Sequence, residues 1–222
     1  MRLVPLACAV FVVVAALPTA AAAQDPVKVA SAQYTLIAEN AHVRVLRATL
    51  PPGVTTAMHS HPAHVGVTVT GGSLRMGLPD GKTVDMEAKL DQVMPVQAAG
   101  SHTTTNTGKT PIEVIVIEMK GAPGSATLPS SRPGMKMTAL LQDPRVDAYR
   151  VSADSSFHEA AGTTHPFDQV VIPLAAGDIA LTMNGKTTST WKRGDVNLIG
   201  RGVAHETKGG KAPSEMIIVA IK

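Results

Sequence analysis

The sequence predicts an all-β protein built as two tandem barrels, and three observations carry that reading. Short runs of β-branched and aliphatic residues are separated by glycine, proline and Asp-Gly or Asn-Gly pairs, as in strands joined by tight turns. No long amphipathic helical pattern interrupts them. The same pattern of runs is written twice, with equivalent histidines in each copy, the mark of an internally repeated unit.

Taken in order, residues 1–23 come first. Arg2 precedes an apolar run from Leu3 to Leu17, and Ala21 and Ala23 then give the small-x-small pattern ahead of Gln24. This is the form of a secretory leader cleaved after Ala23, and the run is short for a membrane span. The expected location is therefore periplasmic or secreted, with no membrane attachment after cleavage. The single cysteine, Cys8, lies in this leader behind a poor lipid-attachment motif, so the mature chain has neither a disulfide nor a thiolate ligand.

The first repeat, residues 28–120, holds the strand runs Val43 to Leu50, Val65 to Thr70, Leu74 to Leu78, Thr83 to Met86 and Ile112 to Met119. Pro79-Asp80-Gly81-Lys82 is a hairpin signal between the third and fourth of these. Residues 121–144 have linker character, concentrated in the proline, glycine and serine of Gly121 to Gly134. The second repeat, residues 145–222, holds Asp147 to Ser152, Val170 to Leu174, Ile179 to Met183, Thr187 to Trp191, Val196 to Ile199 and Met216 to Ile221, with a turn at Asn184-Gly185. Aligned, His61-Pro62 falls on His165-Pro166, and His102 on His205.

Charge and composition exclude some partners. The chain has 20 Lys and Arg against 17 Asp and Glu, with aromatics at 3%, and no basic stripe; nucleic-acid binding is not expected.

The histidine motifs resemble those of the cupin superfamily. Gly53, His59, His61 and Gly72 have the spacing of the first cupin motif, although its glutamate slot falls on Val65 or Gly66, neither of which binds metal. Pro95, Gly100, His102 and Asn106 are similar to the second motif. In the second repeat Thr163 replaces the first histidine, His165 keeps the second, Gln169 occupies the glutamate slot, and Gly194, Arg201-Gly202 and His205 resemble the second motif without its asparagine. The resemblance implies two double-stranded β-helix (jelly-roll) domains.

On a strand, residues i and i+2 share a face, so His59 and His61 can point inward together and meet His102 from another strand. Three imidazoles suit one divalent transition metal, Fe, Mn, Ni, Cu or Zn. His64 is a fourth candidate, on the wrong face by strict alternation unless Pro62 introduces a bulge. His42 lies outside both motifs. With fewer ligands, the second repeat is expected to be metal-free and structural; His158-Glu159, just ahead of its first motif, could supply a compensating ligand, although a loop location is expected. Trp191 is expected to pack into the second repeat, and Met58, Met94 and the other methionines to fill core or lie on mobile surface, with copper chelation the alternative.

Three functional classes follow from the resemblance: an oxygenase-type metal enzyme acting on a small-molecule substrate, a non-catalytic periplasmic protein binding metal or a small ligand, and a metal-dependent isomerase or hydrolase. A homodimer is compatible with each. The missing motif glutamate removes the usual proton shuttle and weighs against the enzymes.

Overall fold

The computed structural model describes residues 24–122, 124 and 131–222, so the expected leader, with Cys8, lies outside the described residues. One short helix, α1 (Pro26–Val29), opens the chain, with Asp25 capping it by accepting from the Val27 amide at 3.0 Å. Everything else that is regular is β-strand.

The first half holds β1 (Tyr34–Glu39), β2 (Val43–Leu50), β3 (His59–Thr70), β4 (Gly72–Gly77), β5 (Thr83–Ala88), β6 (Gln97–Asn106) and β7 (Ile112–Met119). β2 and β7 have the bounds of their apolar runs. β3 starts well before Val65, which places both motif histidines on a strand. The β4–β5 hairpin closes over Pro79 to Lys82 as expected.

These strands form one antiparallel sheet in the order β1-β2-β7-β3-β6-β4-β5. β6 joins its two ends, pairing with β3 through residues 97–102 and with β4 through residues 103–106. The sheet therefore curls, and Leu74 and Ala88 from one end pack against Leu46, Ile112 and Val114 from the other.

Asn106 holds the end of β6. Its amide nitrogen donates to the Leu50 and Thr110 carbonyls, each at 2.8 Å, and its side-chain oxygen accepts from the Gly108 amide at 2.9 Å. The motif asparagine is thus a structural clamp, fully buried. Asn106→Ala is expected to cost about 1–3 kcal/mol, because it strands the buried Leu50 carbonyl, while the Thr110 carbonyl and Gly108 amide lie nearer water; urea unfolding measures it, and a loss under about 0.5 kcal/mol would show that water replaces the amide.

The second half holds β8 (Met135–Gln142), β9 (Val146–Ala153), β10 (His158–Thr163), β11 (Asp168–Pro173), β12 (Ala180–Met183), β13 (Lys186–Thr188), β14 (Asn197–Ile199), β15 (His205–Lys208) and β16 (Ser214–Ile221). They form a five-stranded sheet, β14-β11-β16-β9-β8, and a four-stranded sheet, β10-β15-β12-β13. None of the three sheets closes on itself. The β12–β13 hairpin turns at Asn184-Gly185, both at positive φ, 52° and 74°, a conformation that glycine and asparagine adopt with least strain. Two elements differ from the sequence expectation. β8 falls inside the linker-like range 121–144, where its polar residues Lys136, Thr138 and Gln142 hide a strand paired with β9. Glu159 lies on strand β10, not on a loop, and is buried.

Three cores result. One fills the first half, around Leu46, Ile112 and Val116. Another fills the second, around Phe157, Leu181 and the expected Trp191. The third joins the halves, with Val45, Val67, Ile115 and Ile117 packed together with Val146, Ile172, Ile217 and Val219. β7 and β16 thus bury both faces, which is why their sequences read as nearly continuous apolar runs. Polar contacts pin the same interface: Asn40 donates to Asp168 at 2.7 Å, Arg47 to the Gly194 carbonyl at 2.8 Å, and Arg193 to the Val69 carbonyl at 3.1 Å. Among the described residues no helix is long and apolar enough to cross a membrane.

Candidate metal centre

The alternation of β3 decides which histidines point inward. Val65, Val67 and Val69 face the core between the halves, which leaves His64, Gly66 and Thr68 for the inner face. Strict alternation continued backwards would turn His61 and His59 away. Instead the register against β6 slips between His59 and His61 and again between His61 and Ala63. The irregularity at Pro62 brings His59, His61 and His64 into one buried cluster, at 0%, 7% and 7% exposure.

His102 stands opposite His59 on β6 and is also buried. Ligand nitrogens of His59, His61 and His102 all lie within 4.8 Å of one another. The ring centres are 5.0 Å apart for His59 and His61, 4.4 Å for His59 and His102, and 5.6 Å for His61 and His102. The His64 ring lies 4.9 Å from that of His61, beside the trio and not within it.

Each ring is held in one tautomer. The Nδ1 atoms of His59, His64 and His102 lie 2.8, 2.9 and 2.8 Å from the carbonyls of Ala57, Pro62 and Gly100. A carbonyl only accepts, so Nδ1 carries the proton and Nε2 keeps its lone pair. His61 does the same towards a carboxylate, with Nδ1 2.8 Å from Glu118 Oε1. Burial pushes the basicity of His59, His64 and His102 down, with His59 lowered to about 4. These rings are neutral nitrogen donors at physiological pH.

Three further residues complete the surroundings and were not legible as site residues. Glu118 is buried, bonded to His61 through one oxygen and to Arg44 through the other at 3.3 Å, and Arg44 continues to Asp25 at 2.9 Å. Its signal is an acidic residue within the apolar run of β7, since a glutamate buried there requires a partner. Tyr34, one of only two tyrosines, places its hydroxyl 3.0 Å from His59 Nε2, where it donates. Burial, and then the charge of Glu118, raise its pKa well above the usual phenol range. Nothing in the sequence around β1 marks it. At Gly66, in the missing glutamate's slot, a β-carbon would lie 2.0 Å from Met94 Cε, so the methionine fills the space. Beside His61, an open cavity of about 810 Å³ is lined by Asp25, Arg44, Ala99, Glu118 and Lys120 among others.

His42 and His158 stay apart from these rings; His158 is exposed and faces Glu206 at 3.4 Å. In the second half His165 and His205 do meet, and the buried Glu159 joins them.

Fold and site together define a cupin-fold protein with a histidine-rich candidate metal centre. Known structures agree on the fold. AerE from Microcystis aeruginosa superposes with a TM-score of 0.61 at 13% identity, over 86% of this chain and 97% of that one. A cupin 2 conserved barrel domain protein from Leptotrichia buccalis gives 0.57 at 11%, over 85% and 88%. A salicylate 1,2-dioxygenase from Pseudaminobacter salicylatoxidans gives 0.57 at 12%, over 81% and 71%, and that enzyme has also been solved with gentisate. No family model matches the chain, and no curated protein matches it in sequence.

Proposed function

We propose that the chain is an exported protein of two tandem cupin double-stranded β-helix units whose first unit binds a divalent transition metal and presents it to a small oxygen-bearing molecule for oxygenase-type chemistry. His59, His61 and His102 are the ligands, with His64 as a fourth donor. The observation that carries this reading is the convergence of three buried imidazoles whose Nδ1 atoms are each already committed to an acceptor. That is how metal-binding histidines are oriented by their surroundings.

A bound Fe, Mn, Ni, Cu or Zn ion would supply Lewis acidity and, for the redox-active ones, electron transfer to dioxygen. The chain's own groups do the rest. Glu118 fixes the plane of His61 and raises its donor strength. The buried Tyr34 hydroxyl, which donates to His59 Nε2, would be released once that nitrogen held the ion and could then donate to an anionic oxygen. Arg44 and Lys120 line the cavity already paired with the carboxylates of Asp25, Glu118 and Glu39, so the ion itself would draw a small anionic molecule, the chemistry of the salicylate and gentisate named for one structural neighbour.

A second reading, metal or ligand binding without turnover, is favoured by one observation. Both oxygens of Glu118 are engaged and Gly66 replaces the motif glutamate, so no free carboxylate faces the trio among the described residues. Periplasmic protein purified without added metal tests these points. The expected mature chain begins at or near Gln24, carries metal, and consumes oxygen with hydroxybenzoates or dihydroxybenzoates. Retained Met1 or a lipid on Cys8 would overturn the reading of residues 1–23 as a leader cleaved after Ala23. Metal without oxygen uptake selects the non-catalytic reading, and protein that takes up no metal defeats both.

A further inference from the structure

We propose a second metal site, structural in role, formed by Glu159, His165 and His205 in the half expected to be metal-free. Glu159 comes from β10 and His205 from β15, adjacent paired strands, and His165 from the turn that follows β10. One ligand atom from each lies within 4.8 Å of the others. Glu159 Oε1 is 3.3 Å from His165 Nε2, and Oε2 is 3.4 Å from His205 Nε2.

Those nitrogens are otherwise unpartnered. His205 is 3% exposed, and its Nδ1 donates to the Val203 carbonyl at 3.0 Å, which leaves the Nε2 lone pair facing the carboxylate. Among the described residues neither His205 Nε2 nor His165 Nε2 has a hydrogen-bond partner. Charge-assisted N–H···O contacts close to about 2.7–2.9 Å, so these separations are long for direct bonds. They match the edges of a coordination polyhedron, since ligands about 2.1 Å from one ion stand roughly 3.0–3.4 Å apart.

The pairing pattern explains the choice of ligands. Thr163 faces His205 across β10 and β15, as His59 faces His102 in the first half. The imidazole is lost there, and the Thr163 hydroxyl turns back to the Ala160 carbonyl at 2.7 Å. Glu159, further along the same strand and paired with Thr207, supplies a carboxylate that the motif positions do not. Two imidazoles and one carboxylate suit a divalent first-row transition metal. Arg132 Nη2, 2.6 Å from Glu159 Oε1, orients the carboxylate.

The two centres differ in access. His61 borders the open cavity of about 810 Å³, whereas the cavity that Glu159 lines holds about 40 Å³, room for a water and not for an organic substrate. Three protein ligands leave a coordination position to water, and it is the lack of room for a substrate beside Glu159 that gives the site a structural role.

Zn(II) titration of metal-stripped full-length protein, followed by calorimetry, tests the proposal. Wild type is expected to bind two equivalents, the His59→Ala/His102→Ala variant one, and Glu159→Gln one. Zn(II) should raise the melting temperature of His59→Ala/His102→Ala, and adding Glu159→Gln should abolish that rise. One equivalent in wild type with none in His59→Ala/His102→Ala would overturn the second site and keep the first. One equivalent that survives in His59→Ala/His102→Ala but vanishes in Glu159→Gln would instead defeat the first-site reading and uphold this one. Should Glu159→Gln fail to fold, His165→Ala takes its place, and the wild-type count needs no variant.

Discussion

His59→Ala, His61→Ala and His102→Ala are each expected to release the metal of the first half, whereas His42→Ala keeps it. Each of the three removes one nitrogen from a trio whose donor atoms lie within 4.8 Å of one another. The affinity loss should exceed the roughly 10–100-fold that follows from disturbing a residue behind a ligand. His64→Ala, beside His61 but outside the trio, is expected to weaken binding without abolishing it. His59→Ala also strands the buried Tyr34 hydroxyl, so it should lose about 1–3 kcal/mol of stability besides. Elemental analysis of the five proteins, with melting curves to exclude unfolding, measures these effects. Full first-site occupancy in His61→Ala would end the assignment.

Glu118→Ala is expected to have the largest effect on the fold of any single change near the site. The residue is 2% exposed and holds His61 and Arg44 at once. Truncation leaves a buried guanidinium with Asp25 alone and an imidazole N–H with no acceptor. Breaking a buried pair by removing one partner costs about 3–5 kcal/mol; the surviving Arg44–Asp25 contact places this case near the lower end. Metal affinity should fall about 10–100-fold, because His61 loses both orientation and donor strength. Glu118→Gln keeps an acceptor for His61 and should recover part of both losses. Denaturant unfolding and metal titration of the two variants check this, and unchanged affinity in Glu118→Ala would show that His61 is oriented by packing alone.

What lies along the chain was legible in the sequence. Strands β2 and β7 coincide with their apolar runs, both hairpins form at their Asp-Gly and Asn-Gly turns, and His59, His61 and His102 meet as their spacing implied. These features depend on local turn chemistry and on a period of two, which neighbouring residues impose on one another. β8 escaped because a strand with polar residues between linker-like neighbours carries little apolar signal.

Tertiary structure alone decided the rest. Only the register slips on either side of His61 bring His59 and His61 round to the face that His64 already shares, and a slip is a property of two paired strands, not of one. Tyr34 and Glu118 reach the site from strands distant in sequence, each as a single polar side chain on an otherwise ordinary strand. Glu159 meets His205 because β10 pairs with β15, across a separation no local spacing encodes. Burial is what gives these contacts consequence: an imidazole or carboxylate removed from water must find a partner, and the fold determines which partners are within reach.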